Sequence, residues 1–338
     1  MRLGICILRT IRRRSRRIIV NCPKCQSEHV SKFGKDRSGN QRYKCLDCRK
    51  TFGDAEPKPL GNMRVDLDKA VFALRLLLEG MSVRATERMT GLHRDTILGL
   101  VVTAGQNCKR FMSKTLRDVP AKEVEVDELW GFVGCKEKTR QLLKRPECFG
   151  DCYCYIGMER ETKLILAFHV AKRSSESTYE FVDNLRYAAA GRYQISTDGY
   201  RPYQAAIPLV YQFDVDFAQL VKRFGGSTDM QPETRYSPAQ ITSIDKTQGC
   251  GSPDMNRVCT SHSERLNLSL RMGIRRLTRL TNAHSKKWAN HEAMLALFFA
   301  WYNWVRKHMT LKTTPAVAHG IAAEPWSLEK LLTEAAKA

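Results

Sequence analysis

Four cysteines in two closely spaced pairs constrain the fold of the N-terminal part of this chain. Cys22 with Cys25, and Cys45 with Cys48, each follow a C-x2-C pattern, and nineteen residues separate the two pairs. This spacing is typical of a four-thiolate zinc site, in which a hairpin brings two tight turns together. A redox-active pair would need a thioredoxin-like βαβ context, which the flanking sequence lacks. We therefore predict a zinc ribbon over residues 21–53, with a structural Zn²⁺ that contributes its folding free energy.

The strongly basic composition favours a polyanionic partner. The 338 residues carry a formal charge of +21, and residues 1–53 alone contribute +12. Neutralising phosphates releases counterions, so this excess favours nucleic acid. Residues 1–20 form a basic arm that we predict to be disordered because it contains the block Arg12–Arg17. The arm either contacts DNA or is an upstream extension without function, and the sequence leaves both interpretations open.

The remaining composition indicates a protein of a reducing compartment. Eight further cysteines are scattered without a framework spacing, which argues against a set of disulfides. The longest apolar run, Met294–Trp304, is too short to span a bilayer, and the N-terminal apolar run is too short for a signal peptide. We therefore expect a cytoplasmic protein without a membrane partner, built from two or three domains.

Residues 62–116 are predicted to form an all-α helix-turn-helix domain. Apolar residues at helical spacing end at Gly80, a short helix follows from Val83 to Met89, and a third begins at Arg94 or Asp95 and runs to about Phe111. A three-helix unit without DNA contacts would show the same pattern, but the neighbouring basic ribbon favours DNA binding. The side chains that we expect to face DNA are Arg84, Arg88, His93, Arg94 and Thr96.

The segment Lys122–Gly134 predicts a β-strand that carries acids within its apolar alternation. Asp127 lies in the middle of this alternation, where a charge costs free energy unless it is paired or bound to a metal. The simpler alternative is that Asp127 and Glu128 form a solvated edge pair. Further strands are predicted over Cys152–Met158, Lys163–Ala171 and Tyr193–Thr197, and the last of these ends at Asp198.

These elements predict an α/β catalytic domain with a mixed sheet over residues 120–310. A helix is expected before the last strand, with a capping box at Ser177 and its end at Gly191. Residues 225–259 are polar and are expected to form a long loop or insertion. An amphipathic helix starts near Thr260 and continues to Leu280, followed by a buried helix from Trp288 to Trp304. Residues 311–338 are expected to form a C-terminal tail.

Three carboxylates are expected to meet at one edge of this sheet. Asp127 and Asp198 lie on or after strands, and Glu264 lies in the first turn of the amphipathic helix. A helix-start carboxylate can also act only by stabilising the helix dipole. Oxygen ligands suit Mg²⁺ or Mn²⁺, and two such ions would support an in-line displacement at phosphorus.

Several motifs resemble the IS1-type insertion-sequence transposases, an Asp-Asp-Glu class with a ribonuclease-H-like core. The resemblance extends over residues 22–320, including the zinc ribbon and helix-turn-helix. The segments that carry it are Val126–Val133, Ser196–Tyr203, Ser263–Arg271, Arg276–Lys287, Tyr302-Asn303 and Thr313–Ala316.

This resemblance implies a catalytic triad of Asp127, Asp198 and Glu264, with Asn267 and Arg271 supporting the third acid. It also implies a homo-oligomer that binds double-stranded DNA at insertion-sequence ends and cleaves and joins strands. The interval from Asp198 to Glu264 is longer than in compact members of the class. The competing candidates for the third acid are therefore Glu233, Asp245 and Asp254.

Two other functions remain open at this point. One is a non-catalytic DNA-binding regulator, built from the ribbon and the helix-turn-helix, with a decayed core. The other is a ribonuclease-H-like nuclease that acts on another nucleic acid. The complete set of three acids argues against the regulator, and the two DNA-reading modules argue against a general nuclease.

Overall fold

The computed structural model describes residues 20–36, 39–53, 58–225, 241–278 and 281–338. Apart from Val20, the basic arm lies outside the described residues. Contacts divide the chain after Pro57 into two units, residues 1–57 and 58–338. Within the described ranges, no helix combines the length and the apolar composition needed to cross a bilayer.

The first unit is a small antiparallel sheet with little apolar interior. Tyr43 and Phe52 stack with ring centroids 5.8 Å apart, and Cys22 and Cys45 are fully buried. So small a core stabilises a fold weakly without a metal or another cross-link. Its three strands, in spatial order, are β1 (Val30–Lys35), β2 (Gln41–Cys45) and β3 (Thr51–Gly53).

Three helices open the second unit: α1 (Leu67–Leu78), α2 (Val83–Thr90) and α3 (Arg94–Thr115). Ser82 caps α2 by accepting a hydrogen bond from the Ala85 N–H at 3.1 Å. Gly91 ends α2 at φ 66°, a conformation that glycine adopts without strain. The predicted helices are confirmed, although the third extends beyond Phe111 to Thr115.

A six-stranded mixed sheet forms the centre of the second unit, with strand order β11-β10-β9-β5-β6-β7. The β5–β9 and β9–β10 pairs are parallel, and the other pairs are antiparallel. The predicted mixed sheet is thus confirmed. The strands of this unit, including the separate β4–β8 pair, are β4 (Val119–Pro120), β5 (Glu123–Val133), β6 (Gly150–Glu159), β7 (Ile165–Ala171), β8 (Ala189–Ala190), β9 (Gln194–Thr197), β10 (Asp216–Phe224) and β11 (Ile241–Cys250).

Further helices pack around this sheet, and the buried helix predicted from Trp288 to Trp304 has those bounds. Phe298 and Phe299 of that helix are fully buried. A short 3-10 turn spans Arg275–Leu277. The helices are α4 (Glu137–Leu142), α5 (Ser175–Ala188), α6 (Pro202–Tyr211), α7 (Ser261–Gly273), α8 (Trp288–Trp304), α9 (Pro315–Ala318) and α10 (Leu328–Lys337).

The helices of residues 62–116 share one hydrophobic core with the sheet. α3 packs along α8 so closely that a Cβ added at Gly105 would overlap the Ala293 carbonyl. The predicted boundary between residues 116 and 120 is therefore not a boundary between two cores. The assignment of two domains there stays a prediction.

The polar stretch 225–259 is not the long loop that we expected. Its residues 241–250 form β11, which pairs antiparallel with β10 at the sheet edge. Most β11 side chains are exposed, so the sequence has no apolar alternation to indicate a strand. Residues 226–240 lie outside the described residues. The strand β10 and the helix α6 were missed altogether.

Two predicted helix boundaries and the predicted tail are also wrong. α5 begins at Ser175, because Ser174 Oγ accepts from the Ser177 N–H at 3.2 Å, and it ends at Ala188 where β8 follows. α7 ends at Gly273, well before Leu280. Residues 311–338 are not only a tail, because α10 packs on α3 and buries four side chains: Leu328, Leu331, Leu332 and Ala335.

Candidate active site

The sheet register brings Asp127 and Asp198 together. β5 and β9 are parallel neighbours, and Val126 is paired with Thr197. The next residue after each of these is an aspartate, Asp127 on β5 and Asp198 directly after β9, so the two carboxylates lie side by side. Strand order and strand direction thus produce the convergence that we expected from the sequence.

Glu264 reaches the same place from α7. Asp127, Asp198 and Glu264 line one open cleft of about 650 Å³, together with Arg173, Tyr200, Lys222 and Thr260. Thr260 Oγ1 donates to Glu264 Oε1 at 3.0 Å, and the Lys222 ammonium forms an ion pair with the same oxygen. The third acid is therefore held toward the cleft by two neighbours.

Asn267 lies one turn beyond Glu264 and holds Asp127 directly. Its Nδ2 donates to Asp127 Oδ2 at 2.7 Å, while the Glu128 N–H donates to Asp127 Oδ1 at 2.8 Å. Arg271 donates to the carbonyls of Leu277 and Trp130, so it fastens α7 to β5 without lining the cleft. Asn267 thus holds Asp127, whereas we expected it to support Glu264. Support of Glu264 by Arg271 stays a prediction.

The competing acids lie elsewhere. Asp245 on β11 forms an ion pair with Arg223 at 2.6 Å, and Asp254 accepts from the Asn256 N–H at 3.0 Å. Neither residue lines the cleft. Glu233 lies outside the described residues. Among the described candidates, Glu264 is the one that shares the cleft with both aspartates.

Two carboxyl groups of the site have raised pKa values in spite of the nearby cations. Burial and the nearby charge of Asp198 raise the pKa of Asp127 to about 7. The same two causes raise the pKa of Glu128 to about 7, even though Arg173 donates to it at 2.9 Å. The alternative of a solvated edge pair is therefore wrong, because the Glu128 side chain is only 2% exposed.

The raised pKa of Asp127 has a measurable effect on stability. The unfolded carboxyl titrates near its usual value of about 3.9, so the metal-free fold takes up a proton that the unfolded chain has lost. Stability should therefore fall as the pH rises from about 4 to about 7 and then level off. In Asp127→Asn this loss should shrink by about 1 kcal/mol or more, since one pKa unit is about 1.4 kcal/mol. Urea unfolding in EDTA across this pH range measures it. An unchanged slope would contradict the assignment.

The residues at or beside the cleft that the sequence predictions missed include Glu125, Arg173 and Lys222. Lys222 lies on β10, which the sequence did not indicate. Arg173 follows β7, and its guanidinium lies 3.9 Å from the centre of the Tyr200 ring. Glu125 did leave a signal, because residues two apart on a strand share a face, so it lies on the Asp127 side of β5.

Glu125 anchors the beginning of α7. This carboxylate is 1% exposed and accepts from the backbone N–H groups of His262 and Ser263 at 2.9 and 3.0 Å. It also lies 2.6 Å from His262 Nδ1. With Cys259, these side chains place one ligand atom each within 4.8 Å of one another, a spacing compatible with a metal. Since the carboxylate is already occupied by these donors, we interpret the cluster as an anchor for the helix that carries Glu264.

Replacing Glu125 by Ala should lower the melting temperature of residues 58–338 by several degrees, because the first turn of α7 loses its attachment to β5. Each hydrogen bond to a charged group contributes about 1.5–3 kcal/mol. Glu125→Gln is the matched control: its amide oxygen can still accept from both N–H groups, so its melting temperature should stay close to that of the wild type. Equal melting temperatures of Glu125→Ala and the wild type would contradict the role.

The four ribbon sulfurs are gathered as a metal site requires. Cys22 Sγ and Cys48 Sγ are 3.6 Å apart, and Cys25 Sγ and Cys45 Sγ are 3.5 Å apart. All four sulfurs lie within 4.8 Å of one another. Tetrahedral zinc with Zn–S bonds of about 2.3 Å separates its sulfurs by roughly 3.8 Å. The four cysteines therefore fit a structural Zn²⁺.

The predicted DNA-facing residues of the helical segment lie at both ends of α2 and at the start of α3. Arg84, Arg88, His93 and Arg94 are exposed, and Thr96 is partly buried. His93 also has a structural role, since its Nδ1 accepts from the Asp95 N–H at 3.3 Å and caps α3. Their contact with DNA stays a prediction.

Comparison with known proteins identifies the first unit. Residues 17–49 match a zinc-ribbon family described as the InsA N-terminal domain. The predicted zinc ribbon is thereby confirmed.

Two further similarities involve mobile elements. The chain is 30% identical over 202 residues to an uncharacterized protein of the transposable element ISH50 from Halobacterium salinarum. This match covers 54% of the chain and 63% of that relative. A cryo-EM structure of the piggyBac transposase synaptic complex with hairpin DNA aligns at a TM-score of 0.36 and 12% identity, over 83% of this chain and 72% of that one. That score is too low to support an argument about fold. The chain thus carries an InsA-type zinc ribbon and is similar to a transposable-element protein over about half of its length.

Proposed function

We propose that this protein is a transposase that binds insertion-sequence ends and performs metal-dependent DNA strand cleavage and strand transfer. The observation that carries the proposal is the single cleft lined by Asp127, Asp198 and Glu264. Two of these acids come from adjacent parallel strands and the third from a helix distant in sequence. The similarity to a transposable-element protein and the InsA-type ribbon support the same function. The mixed sheet would then be a ribonuclease-H-like core.

The donor set of the cleft fits divalent ions. Burial and the repulsion of Asp198 and Glu264 raise the pKa of Asp127, and bound cations would relieve that repulsion. The Lys222 ammonium already forms an ion pair with Glu264 and stands where positive charge is favoured. Asp127, Asp198 and Glu264 would hold two Mg²⁺ or Mn²⁺ ions. Such ions activate the attacking oxygen and stabilise the leaving oxygen at phosphorus.

The residues around the acids position them and compensate charge. Asn267 and the Glu128 N–H hold both oxygens of Asp127, which fixes the direction of that carboxylate. Gln219 Nε2 donates to the Asp198 carbonyl at 2.7 Å and fixes the end of β9. Arg173 and Lys222 line the cleft and are suited to a DNA phosphate that enters it.

DNA-end recognition would reside in the ribbon and the three-helix segment, residues 22–110. The exposed cations of α2 and α3 would contact DNA in the manner of a helix-turn-helix. Strand transfer joins two DNA ends to a target, so we further propose a homo-oligomer on DNA. Such binding should weaken steeply with salt.

Two alternative functions make different predictions. A non-catalytic regulator would bind DNA and leave the cleft acids without effect. A ribonuclease-H-like nuclease would cleave without joining strands and without preference for insertion-sequence ends. The gathered carboxylates argue against the regulator, because an unused cluster of acids destabilises the fold.

The test is a strand-transfer assay with the full chain, a DNA fragment bearing the element's own ends and a target plasmid. With Mg²⁺ or Mn²⁺, the transposase should nick at the ends and produce joined products, and EDTA should abolish both. Cleavage without joining would favour the nuclease. DNA binding with neither reaction would favour the regulator and overturn the proposal.

A further inference from the structure

A second concave surface, separate from the cleft of the three acids, carries five cationic side chains among its lining residues. It is a groove of about 770 Å³ lined by residues of α2 and α3, by Arg276 and by residues between 283 and 290. We call it the basic groove and define it by five cationic residues: Arg84, Arg94, Arg276, Lys286 and Lys287. Among its lining residues Asp95 is the single carboxylate. Cations from three separate parts of the sequence thus converge on one surface.

Of these five cations, Arg276 is the one that is partly buried rather than exposed. It donates to the Asn290 carbonyl at 2.7 Å, and burial lowers its pKa to about 10, so it stays charged at neutral pH. It has no ion-pair partner within the described parts of the chain. A partly buried charge without a counter-charge costs free energy. An anion entering the groove would remove that cost.

The other side chains of the groove do not neutralise its excess positive charge. Asp95 already has Arg94 at 3.8 Å and His93 at 3.5 Å. Arg84, Lys286 and Lys287 form no ion pair with any described residue. His284 Nδ1 is buried without a hydrogen-bond partner among the described atoms, and its other ring nitrogen contacts the Gly134 carbonyl at 3.0 Å and the Lys286 ammonium. The groove therefore combines cations that lack a counter-charge among the described residues with an unused polar atom.

We infer that the basic groove binds the phosphate backbone of a DNA duplex. Lysines and arginines from several elements suit successive phosphates, and such contacts fix the position of a duplex without reading its sequence. The inference rests on the proposed function for the identity of the polyanion as DNA. It extends the DNA contacts from the helix-turn-helix residues to Arg276, Lys286 and Lys287, which belong to the chain segment after α7.

Replacing Lys286 and Lys287 together by Gln tests the groove. Affinity for a DNA duplex is measured from about 50 mM to 200 mM salt, on an end sequence and on a scrambled one. Each lost phosphate contact should reduce the slope of log K against log salt by about 0.9, so the double variant should lose about 2. Both duplexes should weaken equally. The matched control is Lys330→Gln with Lys337→Gln, which removes the same charge from lysines that are paired with Glu324 and Glu334.

A second variant separates DNA contact from a structural role. Arg276→Gln removes a partly buried charge that has no ion-pair partner among the described residues, so its melting temperature should stay level or rise while its DNA affinity falls about tenfold. If the double variant at Lys286 and Lys287 had the same salt slope as the control at Lys330 and Lys337, the inference that the basic groove binds DNA would be wrong. Failure of the wild type to bind any duplex would contradict both the inference about the groove and the proposed function. A groove effect without strand cleavage would keep the groove and reject the catalytic proposal.

Discussion

Asp198→Asn should abolish strand cleavage and transfer while DNA-end binding stays unchanged. The substitution removes one negative charge and nearly keeps the shape, so the cleft loses one of the three carboxylates that we propose as metal ligands, and little else. Metal ions contribute several kcal/mol to such reactions, and each 1.36 kcal/mol is a factor of ten. We therefore expect a loss of about 10³-fold or more.

Asp127→Asn and Glu264→Gln should be about equally damaging. The triple variant should be little worse than any single one, because residues that act as one unit are not additive. Asp245→Asn is the matched control: its carboxylate lies in the same unit but is paired with Arg223 outside the cleft. Rates of end nicking and gel-shift affinities measured on the same preparations separate catalysis from binding. Robust transfer by Asp198→Asn or by Glu264→Gln would contradict the role of that residue.

Cys25→Ser should unfold the zinc ribbon and release its metal. Three thiolates remain, and the small three-stranded sheet has little apolar interior to stabilise it without the ion. Structural zinc sites contribute about 10–16 kcal/mol of apparent binding free energy, so the loss should be complete at ordinary zinc concentrations. Zinc content should fall from one per chain to near zero, and proteolysis should cut within residues 22–48.

Residues 58–338 should stay folded in this variant, because their core is separate from the ribbon. Cys148→Ser is the control, since that cysteine is exposed and lies outside the ribbon. It should keep full zinc content and the proteolysis pattern of the wild type. A preparation of wild-type protein with reduced cysteines and no zinc would contradict the site.

Elements with a strong local pattern could be predicted from the sequence. The strand β5 was evident from its apolar residues, and α8 from a continuous apolar segment. The start of α2 was marked by Ser82, and its end by Gly91. Local hydrogen bonding and side-chain periodicity determine these features, so neighbouring residues contain the information.

Other elements depend on distant partners and left little local signal. β11 is held by hydrogen bonds to β10 while its side chains face solvent. α6 carries Pro208 inside the helix, which argues against a helix on sequence grounds. α10 did carry apolar residues at helical spacing, and the prolines before it led to the interpretation as a tail.

The candidate site was predictable only in part. Asp127 and Asp198 could be named because one lies on a predicted strand and the other directly follows one. That these two strands are parallel neighbours is seen only in the structure. The ion pair of Lys222 with Glu264 and that of Arg173 with Glu128 join residues that are far apart in sequence. Such contacts follow from the packed sheet, and a single sequence does not reveal them.

The tight contact between Gly105 of α3 and the Ala293 carbonyl of α8 fixes the separation of these two helices in the second unit. Because there is no room between the two helices for even a methyl group, α3 cannot slide or tilt on α8 without losing that contact. A duplex gripped by α2 and α3 would consequently lie at a constant separation from the three acids. On the proposed function, the packing of α3 on α8 would determine how many base pairs lie between the bound sequence and the cleaved phosphate.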